Sequence, residues 1–188
     1  MNIVTKPQLE LNYTLIEENM PIIYDNIIFE ISQKEIIEDI HLLGYQIELP
    51  INFIEKLGID SGRDPLYDLW AKFHKIKEKI PSIIDSGDFG VTLQSQKEGY
   101  FEYFVSNKGN TPLTYKKLKN WSLNKGEVII CTVEAENFNT LVLDALYKAQ
   151  NYLFNIWLPT KSIEIEPFSI EYYPKSQENT VEIWVKKK

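Results

Sequence analysis

The residues with the most chemistry in them stand near the C-terminus. In Ser169-Ile170-Glu171-Tyr172-Tyr173 the alternation of a strand sets Glu171 with Ser169 and Tyr173 on one face, and Ile170 with Phe168 and Tyr172 on the other. In Val181-Glu182-Ile183-Trp184-Val185, Val181, Ile183 and Val185 form an apolar face and leave Glu182, Trp184 and Lys186 opposite. If the uniformly apolar faces meet helices, Glu171, Tyr173 and Trp184 share a concave side. A carboxylate among aromatic rings suits a lipophilic cation: the charge attracts it strongly where water is excluded, and each ring adds about 0.5 to 2 kcal/mol. The same pattern also describes a solvent-facing glutamate with half-buried rings beside it, and on the residues alone this plainer reading is the stronger.

The elements that must carry these residues occur twice. From Pro65 to Lys108 the chain presents an amphipathic helix with Leu69, Trp70 and Phe73, a stop at Ile80-Pro81, then Phe89-Gly90-Val91-Thr92-Leu93 and Phe101-Glu102-Tyr103-Phe104-Val105. From Leu141 to Lys188 the order returns: a helix with Leu143, Leu146, Tyr147 and Phe154 that stops at Trp157-Leu158-Pro159, then the two strands above. Laid over each other, Thr92 meets Glu171. Leu43 to Leu49 opens the first unit as a period-two strand, and Glu127 to Glu134 opens the second. Asp64-Pro65 starts the first helix as cap and first residue, and Asn139 or Thr140 caps the second. Gly58 to Gly62 reads as a loop.

The expected fold is therefore α+β, two strand-helix-strand-strand units related by a pseudo-two-fold axis. Their two helices pack on one curved antiparallel sheet, or two small sheets, and leave the opposite face as a concave surface at the seam, the central pocket. Residues 1–35 form a preface, with a polar stretch from Asn12 to Asn19 and a strand or extended linker over Pro21 to Ile31. The domain proper spans 36–188, with repeat one at 36–108, a polar connection at 109–126 docked by Tyr115 and Trp121, and repeat two at 127–188.

Composition narrows the function. The 188 residues carry a net charge of -7, so a nucleic-acid surface would need a basic cluster, and Lys186-Lys187-Lys188 reads as a solvated end. The N-terminus lacks the apolar centre of a signal peptide, and no stretch of eighteen apolar residues occurs. The single cysteine, Cys131, lies in an apolar strand and fits a reducing cytoplasm. His41 and His74 lack ligand-spaced neighbours and read as surface or boundary residues, so no metal, cofactor or catalytic group is expected. Asp88-Phe89-Gly90 spells the metal-binding tripeptide of kinases without the loops that would give it meaning.

Trp157-Leu158-Pro159, Phe168-Ser169-Ile170-Glu171-Tyr172-Tyr173 and Val181-Glu182-Ile183-Trp184 together resemble the end of the GyrI-like, AraC effector-binding domain family. Leu69-Trp70-x-x-Phe73, Phe89-Gly90-Val91 and Phe101-Glu102-Tyr103 resemble its first half. Tyr13-Thr14-Leu15-Ile16-Glu17-Glu18 and Ile27-Ile28-Phe29-Glu30-Ile31 look like the linker that follows the DNA-binding helices of some AraC-type regulators. The chain departs from the family in two places: Lys186 stands where a proline usually follows the last strand, and Glu136-Asn137-Phe138-Asn139 carries no glycine.

The resemblance implies a bacterial, cytoplasmic, small-molecule effector domain of the multidrug-binding kind, with Glu171 as the charge partner of an aromatic or cationic ligand. Tyr173, Trp184 and Phe104 would form the wall; a one-residue slip in register would exchange Phe104 for Tyr103, so both are carried. DNA contact would belong to helices upstream of this chain. Two other readings attach to the same resemblance. One is a stand-alone hydrolase of strained electrophiles, with Glu171 as base and Tyr173 as donor. The other is a protein-binding, gyrase-inhibitor-like module.

Overall fold

A computed structural model describes residues 21–52, 64–80, 83–109 and 118–188. The stretch Asn12 to Asn19, the loop Gly58 to Gly62, Pro81 and Tyr115 lie outside the described residues. The chain order is β1 (Ile22–Tyr24), β2 (Ile27–Ile36), β3 (Ile40–Pro50), α1 (Pro65–Lys77), β4 (Ile83–Gln94), β5 (Tyr100–Gly109), β6 (Lys119–Leu123), β7 (Gly126–Glu134), α2 (138–161), β8 (Phe168–Pro174) and β9 (Thr180–Lys186). Among the described residues the strands form one sheet in the order β1-β2-β7-β9-β8-β4-β5-β3-β6. Every pair in it is antiparallel.

That order contains the repeat. Outward from the β4/β8 seam, one side runs β4-β5-β3 and the other β8-β9-β7, so the units β3-α1-β4-β5 and β7-α2-β8-β9 have the same internal strand order and meet through equivalent strands. The fold is the α+β duplication expected from the sequence.

Local chemistry sets the helices. Asp64 caps α1, its side chain accepting from the Leu66 amide at 2.9 Å ahead of Pro65, and His74, Lys75 and Lys77 occupy the last turn where the dipole favours cations. Leu69 and Phe73 are its buried anchors, worth about 1.5 to 3 kcal/mol each. The cap of α2 is Asn137, not Asn139 or Thr140: Asn137 keeps extended backbone and its Oδ1 accepts from the Thr140 amide at 2.9 Å, which leaves the later residues inside the first turn. Nor does α2 stop at Trp157-Leu158-Pro159. Leu153–Trp157 is a π-helical turn, and this wider turn lets the chain carry Pro159 on to Lys161 before Ser162 turns left-handed.

The preface joins the sheet. Asp25 and Asn26, both at positive φ, make the two-residue turn that folds β1 onto β2, and β2 pairs with β7 along eight residues. Within the connection, Trp121 and Leu123 alternate with polar neighbours and form β6 against β3.

The helices pack on one face of the sheet. α2 covers Ile129, Cys131, Val133, Val181, Ile183 and Val185; α1 covers Leu43, Phe101, Tyr103 and Val105. A third cluster, Phe89, Val91, Phe104 and Ile170, occupies the other face beneath Trp121, Phe168, Tyr172 and Trp184. β8, at the seam, buries Ile170 on that other face and keeps its remaining residues partly exposed.

Candidate ligand-binding site

Glu171 lies at the seam on the face that carries the helices, paired in register with Gly90 on β4 and Ile183 on β9. Its Oε2 accepts hydrogen bonds from the hydroxyls of Tyr103 at 3.0 Å and Tyr173 at 3.1 Å, and its Oε1 accepts from Nε2 of Gln150 at 3.0 Å. The donors come from β5, β8 and α2, so the carboxylate joins both units, and all three are neutral. Trp70 of α1 meets Tyr173 edge-on at 5.6 Å. Phe138 at the start of α2 approaches Tyr173 at 6.1 Å.

Gly90 makes this arrangement possible. A Cβ at that position would lie 2.2 Å from the Tyr103 hydroxyl oxygen and 3.3 Å from Oε2 of Glu171. Any side chain there would occupy the space in which phenol and carboxylate meet.

Burial raises the Glu171 carboxyl above the ordinary glutamate value, and the bonds from Tyr103, Tyr173 and Gln150 pull it back only in part. Burial and the neighbouring carboxylate push the Tyr103 and Tyr173 hydroxyls well above the usual phenol range, so both stay protonated and keep donating. Glu171 as a residue is partly exposed, while its carboxyl group is enclosed by protein. Among the described residues, the donors to its carboxylate are neutral and bring it no positive charge.

A second polar cluster fixes the wall. Asp88, also on the helix-bearing face, takes bonds from His74 at 2.9 Å, Lys77 at 2.9 and 3.1 Å, and Asn107 at 3.0 Å. Burial would raise its carboxyl, but His74 and Lys77 together hold it below the usual aspartate value. The cluster clamps the C-terminal half of α1 to β4 and β5, and the Trp70 ring lies tilted beside His74 at 5.6 Å.

The structure brings together Glu171, Tyr173 and Tyr103 from the residues singled out in the sequence. It does not bring Trp184 or Phe104. Trp184 pairs with Ile170 and Phe104 with Val91, a parity that directs both to the opposite face. There Trp184 contacts Phe89 and Tyr172 and donates its indole N–H to Glu182 at 2.7 Å. The expectation failed because Val181, Ile183 and Val185 do meet a helix while Phe168, Ile170 and Tyr172 do not: β8 turns its polar side to the helices. Sequence reading missed Gln150 and Gly90 as parts of the site, and placed Trp70 only as a helix core residue. Surface hollows of about 490 and 580 Å³ lie elsewhere, one beside Leu93 and Phe168, the other beside Asp39 and Lys125.

The chain matches no family model and no curated protein by sequence. Solved structures share its fold. An integron cassette protein from the mobile metagenome of Vibrio cholerae superposes with a TM-score of 0.62 at 17% identity, covering 84% of this chain and 95% of that one. SAV2435, solved bound to tetraphenylphosphonium, superposes with a TM-score of 0.65 at 11% identity over 85% and 94%. The EcmrR C-terminal domain gives 0.53 at 12% identity over 85% and 98%. The fold is GyrI-like, as the resemblance in sequence implied.

Proposed function

We propose that this chain is a small-molecule effector-binding domain, and that the seam between its two units receives a lipophilic cation with Glu171 as its charge anchor. The observation that carries the reading is the buried carboxylate of Glu171, hydrogen-bonded by three neutral donors and ringed by Tyr103, Tyr173 and Trp70. A cation entering there would give the carboxylate the positive partner that none of its three described donors supplies. The shared fold with a protein solved with tetraphenylphosphonium supports the reading, and so does EcmrR, solved in complex with DNA. On this reading the domain, with the β1–β2 hairpin as part of its sheet, serves an AraC-type bacterial regulator in the cytoplasm and holds the ligand without touching DNA, which other helices would contact. No helix among the described residues is long and apolar enough to cross a membrane.

Titration calorimetry with tetraphenylphosphonium and a neutral aromatic compound of similar shape tests the proposal. Glu171→Gln keeps the shape and removes the charge, so it should weaken the cation by about 1.5 to 3 kcal/mol and leave the neutral compound nearly unaffected. Equal losses for both compounds, or none for either, would make Glu171 a structural residue.

A further inference from the structure

The three residues Gln150, Asn151 and Tyr152 follow one another on α2, and they point to two different places. Gln150 donates to Glu171 at 3.0 Å. Asn151 donates to the Tyr24 hydroxyl of β1 at 3.0 Å, and the Tyr152 ring meets Tyr24 at 5.1 Å and Phe29 of β2 at 5.2 Å. Lys148, one turn earlier, lies 3.7 Å from Asp25 in the turn between β1 and β2. One short stretch of helix therefore holds the site with one side chain and the N-terminal hairpin with its neighbours.

That stretch, Leu146–Tyr152, is α-helical and bounded on both sides by π-helical turns, Leu141–Ala145 and Leu153–Trp157. A π turn holds one residue more than an α turn, so the segment between two of them can rotate or slide by small transfers at its ends without breaking the helix. We infer that Leu146–Tyr152 is a moving part: a ligand that takes the place of Gln150 on Glu171 shifts this segment, and the β1–β2 hairpin registers the shift through Asn151 and Tyr152. The inference rests on the proposed function for its ligand, and it concerns regulation from that same site. Linkage makes the coupling reciprocal, so whatever fixes the hairpin also changes ligand affinity.

Amide hydrogen exchange on the full chain tests this with and without ligand. Gln150→Met keeps the side-chain length and removes the donor on α2; Tyr103→Phe removes a donor to the same carboxylate from β5. In the unliganded proteins, Gln150→Met should change exchange in the β1–β2 hairpin by threefold or more, while Tyr103→Phe leaves it within the scatter of wild type. Saturating tetraphenylphosphonium should change the same hairpin amides in the wild type. Equal hairpin effects from the two variants, or an unchanged hairpin in folded Gln150→Met, would overturn the coupling. Failure of tetraphenylphosphonium to bind would count against the cation site, while the comparison of the unliganded variants still decides the coupling.

Discussion

At the scale of the residue, the central fact is one carboxylate kept in a costly place. Glu171 titrates above the ordinary glutamate value in the folded chain, so its contribution to stability is fully present below the unfolded value and is lost as pH rises through the folded one. Denaturant melts across that window should show wild type losing stability with rising pH, and Glu171→Gln should flatten that part of the profile. Asp88 has the opposite sign. Its folded value is depressed, so its contribution exists above the unfolded value and disappears as pH falls through the folded one. A second residue-scale prediction concerns Gly90: Gly90→Ala puts a methyl 2.2 Å from the Tyr103 hydroxyl, which must move off Glu171. We expect a loss of about 1 to 3 kcal/mol in unfolding free energy, with tetraphenylphosphonium affinity reduced alongside.

Much of this was legible in the residues, and what was not had physical reasons. Glu171 and Tyr173 fall on one face because the period of a strand is two, and a single strand suffices to see it. Excluding Trp184 and Phe104 required knowing that Glu171 itself faces the helices, and the alternation within β8 does not say which of its two faces a helix covers. Gln150 is distant in sequence from Glu171 and reaches it only through tertiary packing. The role of Gly90 depends on the phenol across the sheet, which no local pattern contains.

At the scale of the element, capping and turn chemistry decide how the site is framed. Asn137→Ala removes the bond to the Thr140 amide and should cost about 1 kcal/mol by thermal or denaturant melting, because α2 then begins with an unsatisfied donor. The start of α1 was readable from Asp64-Pro65. The start of α2 was not, since Asn137, Asn139 and Thr140 all have side chains able to cap and only backbone geometry separates them. The β1–β2 hairpin was likewise hidden: Asp25-Asn26 is a two-residue turn whose left-handed backbone both residues tolerate, inside what reads as a continuous apolar run.

At the scale of the whole molecule, duplication explains why the site sits where it does. Two units that share a strand order meet through β4 and β8, and the seam is the place where two helices leave sheet between them. Thr92 and Glu171 both face that side, so the halves offer similar positions and only the second supplies a charge. A crystal structure with tetraphenylphosphonium tests the central claim most directly. The account predicts the ligand on the helix-bearing face, between α1 and α2, with its cationic centre against Glu171 and its rings against Tyr103, Tyr173 and Trp70. A ligand bound instead against Trp184 and Tyr172 on the opposite face, or in a surface hollow away from Glu171, would contradict it.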